Sequence, residues 1–365
     1  MAKKQREKTQ YFDYGLLILV IMLLAFGVVM LYSTSAYNAT LRFDDGTYYV
    51  RRQLFAAGLG FVALAFLVAI DYKFWMHLSS LLYLGSIALC VMVLFMGSDI
   101  NGASRWFMIN GVSFQPSEVA KVAVILYLSA LISKYPHIVK GRENVLKVFI
   151  RILPLLGAVA YNNLSTAIII LGIAFGMLFV ASREIDVFVG AALIAVVGIL
   201  GVIFLGAGYR SGRIDAWLNP ENYDTGYQTM QALYAIGSGG LFGKGLGESF
   251  QKSFVPEAQN DMIFSIICEE LGLLGAVCVI ILYLLLLWRL LIIAFNARDR
   301  FGSFICVGIM IHIALQVILN IGVVTNTIPN TGITLPFISY GGTSVVILLA
   351  EMGLALSVSR RIQPK

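Results

Sequence analysis

Apolar runs of about twenty residues, broken by short polar segments, recur along the whole chain. A helix of that length crosses the hydrocarbon core of a bilayer, so the pattern predicts ten membrane-spanning helices. They fall near 14–34, 49–70, 74–96, 117–133, 148–162, 165–181, 186–206, 262–290, 301–325 and 343–359. The fifth and sixth are short and almost abut across Asn162-Asn163. The first apolar run, Tyr14 to Leu31, is long enough to stay in the membrane as a signal anchor. Four polar segments, 35–48, 97–116, 207–261 and 326–342, then share one side. The third, between spans seven and eight, is by far the longest, and loops of that length are usually functional or disordered. Its regular glycines and mixed aromatics (Trp217, Tyr223, Tyr227, Tyr234, Phe242) predict an ordered loop. With no repeat, low-complexity tract or appended soluble domain, 1–365 reads as a single all-α, polytopic membrane domain.

Composition agrees. Hydrophobic residues make up 59% of the chain and charged residues 13%, with a mean hydropathy of +0.85; soluble domains are about 45–50% apolar and about 25% charged. The four cysteines all lie in apolar runs, which suggests neither a disulfide framework nor a zinc site. Lys and Arg gather in the segments that a cytoplasmic N-terminus would place inside, among them Lys73, Lys134, Lys147, Arg151, Arg289 and Arg360. The positive-inside rule therefore predicts both termini in the cytoplasm. The net charge of +6 reflects these anchors and is not read as nucleic-acid binding.

Within this pattern, 236–275 stands out. A Gly-rich polar loop with two lysines delivers Asp261 to the start of a long apolar helix, which then carries Glu269 and Glu270. Carboxylates inside a span are costly, roughly 2.5–3.5 kcal/mol each, and mark functional sites by default. Asp261 has two readings: a helix N-cap, or a general base whose pKa is raised by partial desolvation at the membrane boundary. Glu269 and Glu270 lie about 12–13.5 Å further along the helix and point about 100° apart. One is expected to face a cavity and the other a neighbouring helix, with His312 and Gln316 as polar partners. His312 alone reads as a hydrogen-bonded packing residue rather than a metal ligand.

In FQPSEVAK, Pro116 begins a helix, Glu118 lies in its first turn and Lys121 follows at i+3 on the same face. The pair is either a local ion pair or the wall of an inward polar cavity. Arg105, Arg210, Arg213, Lys244 and Lys252 are loop cations around these acids. Lys244, set between Gly243 and Gly245, and Arg210, just above the seventh span, suit a diphosphate. Arg213 and Lys252 read as solvated charge. Gly341-Gly342 ahead of a helix, beside an outward Ser339, offers a second anion site. No dedicated metal-ligand cluster is visible; the only cation expected is a divalent ion, Mg or Mn, held loosely at a diphosphate.

Four stretches, GASRWFMINGVSFQPSEVAK (102–121), GYQTMQALYAIGSGGLFGKGLGES (226–249), FVPEAQNDMIFSIICEELGLLG (254–275) and NTIPNTGITLPFISYGGTS (326–344), together resemble the SEDS family (shape, elongation, division and sporulation). They stand in that family's order and spacing, and the ten-span layout covers the chain. The resemblance implies polymerisation of lipid II into glycan strands on the outer face of the bacterial cytoplasmic membrane. It also implies a class B penicillin-binding protein as partner, among other divisome or elongasome membrane proteins. By the same resemblance the essential extracellular aspartate is Asp261, the functional Glu/Lys pair of the fourth span is Glu118 and Lys121, and the FISYGG serine is Ser339.

NLSTA (163–167) and RIDAWLNPE (213–221) look more like the division branch than the elongation or sporulation branches. This chain departs from the family in having Asn162 and Asn163 where an acid is common. Asn330 and Thr343 replace Val and Ser, both expected to be neutral. The implied chemistry is inverting glycosyl transfer, with Asp261 as base and Lys121, Arg210 and Lys244 facing the leaving diphosphate. The rival reading is a lipid II flippase, since buried Glu and Lys also mark transport pathways. Against it, no pair of broken helices occupies matching positions in two halves.

Overall fold

The computed structural model describes residues 12–100, 103–109, 112–191, 193, 217–223 and 226–362. In chain order they form α1 (Tyr14–Phe43), α2 (Tyr48–Ala69), α3 (Tyr72–Met96), β1 (Ser98–Ile100), β2 (Ala103–Ile109), β3 (Val112–Phe114), α4 (Pro116–Lys134), α5 (Arg142–Asn162), α6 (Leu164–Ala181), α7 (Tyr227–Gly239), α8 (Ile263–Asn296), α9 (Arg300–Val324) and α10 (Gly342–Ser359). Among the described residues nine helices, all of these except α7, are long and apolar enough to cross a membrane. They coincide with nine of the ten predicted spans. The tenth, 186–206, begins in helical residues 185–191 and otherwise lies outside the described residues.

Polar caps at one end of the bundle explain where several helices start. Asp13 accepts from the Leu16 amide at 2.8 Å and binds Arg289 of α8 through Nη2 at 2.7 Å, tying two helix ends together. Asp71 caps α3 through Lys73 N, and Asp299 caps α9 through Gly302 N while Tyr72 Oη donates to it at 2.7 Å. An Asp cap is worth about 1 kcal/mol. Both described ends of the chain meet here, Asp13 N–H donating to Ser359 Oγ. The opposite end gathers the strands, α7 and the segments around Asp261 and Ser339. Residues 182–186 lie at the first end and Trp217, bonded to Asn326 O at 3.0 Å, at the second.

Two features depart from the sequence pattern. Polar segment 97–116 folds as an antiparallel sheet of order β1-β2-β3, with Phe107 opposite Phe114. In addition, α8 is not one helix. Gly272 sits at φ 67°, ψ −168°, a left-handed region that favours glycine. The break strands backbone groups that a continuous helix would pair, and the Gly-rich loop takes them up. Lys244 N and Gly245 N donate to the carbonyls of Glu269 and Glu270, and the Leu273 and Leu274 amides donate to Gly240 O and Leu241 O. Non-helical backbone is tolerated at membrane depth only when protein satisfies it in this way. A side chain at Gly243 would meet Glu270 O at 2.2 Å, so the approach requires glycine.

The middle of the bundle is filled by α4 and α10, the most buried of the nine helices, whereas α2, α3 and α5 turn much of their apolar surface outward. Residues such as Phe66, Leu81 and Phe95 are exposed in the manner expected for contact with lipid.

Candidate active site

Asp261 is 7% exposed and stands just before α8. It does not cap that helix: the capping position is Met262, and no side chain accepts there. The N-cap reading is therefore corrected. Its backbone is pinned instead. Asn320 of α9, fully buried, donates from one amide nitrogen to Asp261 O and Ile333 O, both at 2.7 Å. The carboxylate meets Gln228 of α7, whose Nε2 lies 3.4 Å from Oδ1 and also donates to Pro256 O at 3.2 Å. Asn330 Nδ2 donates to Gln228 Oε1 at 2.9 Å and so orients that amide. Burial, helped by the negative charge of Glu257, pushes the Asp261 pKa up to about 7. A carboxyl near neutrality is suited to take a proton.

Glu269 and Glu270 face different partners, as the 100° offset requires. Glu270 turns to a neighbouring helix and accepts from Ser33 of α1 at 2.6 Å. Glu269 faces the Gly-rich loop and gathers it: Lys244 Nζ lies at 2.6 Å, Phe250 N and Gln251 N donate at 3.2 Å, Ser238 Oγ lies at 3.3 Å, and Ser249 Oγ also donates. Two expectations fail here. Lys244 is held in an ion pair by a fully buried carboxylate, because the helix break brings Glu269 beneath it. Lys252 is not solvated charge: its side chain is 18% exposed, its Nζ lies 3.8 Å from Glu270, and it donates to Gly247 O. Nor do His312 and Gln316 partner these acids. His312 Nδ1 lies 2.9 Å from both carboxylate oxygens of Glu351 in α10, a buried acid that the sequence reading passed over.

Glu118 and Lys121 form the expected pair, 2.9 Å apart and 9% and 1% exposed. Among the described residues the second oxygen of Glu118, Oε2, has no partner. Gly308 of α9 packs on Ile125 of α4, and the two helices run in opposite directions. By helical rise Lys121 then stands about level with His312. His312, Gln316 and Asn320, at i, i+4 and i+8, are all buried, and each leaves one polar atom unpaired among the described residues. The bundle centre thus carries a polar stripe leading from beneath Asp261 toward the Glu118–Lys121 and His312–Glu351 pairs.

The remaining candidates are placed as follows. Arg105, in β2, donates to Asn162 O at 2.6 Å and lines a cavity of about 20 Å³ with Pro116, Ser117 and Asn163. Asn163 caps α6 by accepting from Thr166 N, which is the use this chain makes of the position. Ser339 is not outward: it is 3% exposed and its hydroxyl accepts from Leu335 N at 2.8 Å. Gly341 N donates to Gln53 Oε1, so the amide ahead of α10 is already engaged. Asn330 and Thr343, where the chain departs from the family pattern, each make a hydrogen bond. Asn330 bonds Gln228, and Thr343 Oγ1 donates to Ser113 O at 2.7 Å, anchoring the sheet. Arg210 and Arg213 lie outside the described residues. Among the described residues no three His, Cys, Asp or Glu converge to hold a metal ion. Gln228, Asn320 and Glu351 were missed because a lone amide or acid in an apolar run carries no local pattern.

A bundle of membrane-length helices with a buried acid at one end, backed by buried ion pairs, defines a polytopic membrane protein with a candidate site at one end of the bundle. The chain belongs to the FtsW/RodA/SpoVE family of cell cycle proteins, whose profile matches residues 14–363; this is the SEDS family. It is 42% identical over 361 residues to the stage V sporulation protein E of Bacillus subtilis (strain 168), spanning 95% of this chain and 97% of that one. It is 38% identical over 368 residues to the probable peptidoglycan glycosyltransferase FtsW of Geobacter sp. (strain M18), spanning 98% and 99%. Among solved structures, a chain of a peptidoglycan synthase complex that coordinates polymerization and crosslinking superposes with a TM-score of 0.83 at 29% identity, covering 97% and 99%. The rod shape determining protein RodA of Thermus thermophilus superposes with a TM-score of 0.70 at 28% identity, covering 97% and 98%.

Proposed function

We propose that this chain is a peptidoglycan glycosyltransferase that polymerises lipid II into glycan strands at the outer face of the bacterial cytoplasmic membrane during cell division. The observation that carries the reading is Asp261, a buried carboxyl with its pKa pushed up to about 7 at the polar end of a membrane bundle. Relatives named peptidoglycan glycosyltransferase FtsW align over nearly the whole chain, which supports the activity and the division role. Lys73, Lys134, Lys147, Arg289 and Arg360 stand at or near the end opposite Asp261, so the positive-inside rule makes that end and both termini cytoplasmic.

The 4-hydroxyl of the incoming lipid II sugar attacks the anomeric carbon of the growing strand. The bond to the diphosphate oxygen breaks, undecaprenyl diphosphate leaves, and Asp261 takes the hydroxyl proton. General-base catalysis of this kind is worth about 10²–10⁴-fold. Gln228 meets the carboxylate, and Asn320 pins the backbone that carries it. Lys121, with Arg210, supplies positive charge toward the leaving group. Lys244 acts through the loop it shares with Glu269, and any divalent ion is held by the diphosphate itself. The likeness to a synthase complex that coordinates polymerization and crosslinking supports a class B penicillin-binding protein as partner.

A sporulation role is the second reading, favoured by the 42% identity to the stage V protein; it leaves the chemistry unchanged. The test of activity is reconstitution of purified protein with lipid II and its cognate partner. Glycan ladders support the polymerase, and movement of labelled lipid II between leaflets without polymer would establish the flippase instead.

A further inference from the structure

At the end of the bundle opposite Asp261, the turn after α4 and the first half of α5 enclose a half-open cavity of about 480 Å³. Local chain chemistry builds it. Pro136 follows the last turn of α4, Gly141 turns back at φ 84°, and Asn144 Nδ2 donates to Lys140 O at 2.8 Å and to His137 O at 3.4 Å. Val148, fully buried, forms the floor. The polar lining is Tyr135, His137, Asn144, Lys147 and Arg151.

Lys147 and Arg151 stand one turn apart on one face of α5. Among the described residues Lys147 has only Glu143, at 3.6 Å, with both side chains largely exposed, a pairing of little strength. Among the described residues nothing engages the Arg151 guanidinium; Tyr83 Oη binds only its backbone carbonyl, at 2.7 Å. Yet Arg151 lies about 13 Å into a membrane-length helix, between Ile150 and Leu153, which are 60% and 56% exposed. A cation flanked by lipid-facing apolar side chains is costly unless it reaches the headgroup level and meets an anion there. Two cations one turn apart, with the imidazole and phenol donors of His137 and Tyr135 beside them, match the oxygens of a phosphate.

We propose that this cavity binds the phosphate-bearing headgroup of an anionic bilayer lipid in the leaflet opposite Asp261. Basic pockets between membrane helices recognise such headgroups, and the volume is in the range of a small-ligand site. The bound lipid would brace the far ends of α4 and α5, and α4 carries the Glu118–Lys121 pair.

The test uses the full chain in neutral detergent, titrated with phosphatidylglycerol, phosphatidylcholine or inorganic phosphate, with native mass spectrometry and melting temperature as readouts. Phosphatidylglycerol is expected to stay bound and raise the melting temperature, whereas phosphatidylcholine and phosphate leave it unchanged. Arg151→Gln should weaken phosphatidylglycerol binding about fivefold, and Lys147→Gln with Arg151→Gln about thirtyfold. Arg142→Gln removes an equal charge nearby, at a residue paired with Asp186, and should change binding less than twofold. Equal retention of phosphatidylglycerol by the double variant would overturn the site, as would a phosphate response matching the lipid's. Should Arg151→Gln fail to fold, Arg151→Lys decides: it keeps the charge and loses the fork, so weaker binding at unchanged melting supports the site and undiminished binding contradicts it.

Discussion

At the residue scale Asp261 carries opposite demands. Burial favours its protonated form, and a base must be ionised. With a pKa near 7 against the usual 3.8, the folded chain holds this proton more tightly than the unfolded chain. That contribution to stability is complete below pH 3.8 and is lost as pH rises to about 7. Asp261→Asn, uncharged at every pH, should therefore melt like the wild type near pH 4 and higher than it at pH 8. The gap should open between those values, with a magnitude on the order of a few kcal/mol. Melting curves in detergent across pH check this, and a constant gap would mean that the carboxylate is not desolvated. Polymerisation by the wild type should rise with pH through about 7. Gln228→Leu removes the side chain that meets Oδ1 and should lower the rate roughly tenfold while moving that pH midpoint. A lower rate with an unmoved midpoint would assign Gln228 to folding alone.

At the scale of elements, nine predicted spans are present because twenty-residue apolar runs are an unambiguous signal. The sheet at 98–114 and the break at Gly272 were not legible. Three short strands in a polar loop show too little alternation, and GLLG (272–275) inside an apolar run reads as helix until a partner loop satisfies the freed backbone. The break decides what Glu269 does. Removing its charge by Glu269→Gln should release loop 244–253, and the amides of Phe250 and Gln251 should lose hydrogen-exchange protection by about tenfold or more. Unchanged protection would contradict the clamp. Asp261 and the Glu118–Lys121 pair were legible as acids and cations at helix starts. Lys244, Lys252 and Ser339 were misread because sequence shows that a polar group is present and not which partner has claimed it.

The Glu118–Lys121 pair tests the coupling of α4 to the bundle. Losing one partner strands a buried charge, at about 3–5 kcal/mol. Glu118→Gln or Lys121→Met should each destabilise by that order, and the double variant by less than their sum. Thermal melts of the three variants measure it; additive losses would refute the pairing. Activity should stay low in the double variant, since Lys121 is the charge proposed to face the diphosphate.

Across the whole molecule the polar groups are distributed by end. Acid, loop clamp and sheet occupy one end, arginines and lysines crowd the other, and the buried pairs lie between. This polarity suits a reaction carried out at one membrane surface with a substrate anchored in lipid. The broken helix α8 is unmatched by a second break among the described residues, whereas transporters built from inverted repeats place such breaks in pairs. The measurement that tests the proposed chemistry most directly is glycan synthesis from lipid II by wild type and Asp261→Asn, reconstituted side by side with the cognate penicillin-binding protein. Polymer should form with the wild type and fall by at least about 10²-fold with Asp261→Asn, at equal membrane insertion and equal or higher melting temperature. Near-normal glycan ladders from a well-folded Asp261→Asn protein would contradict it.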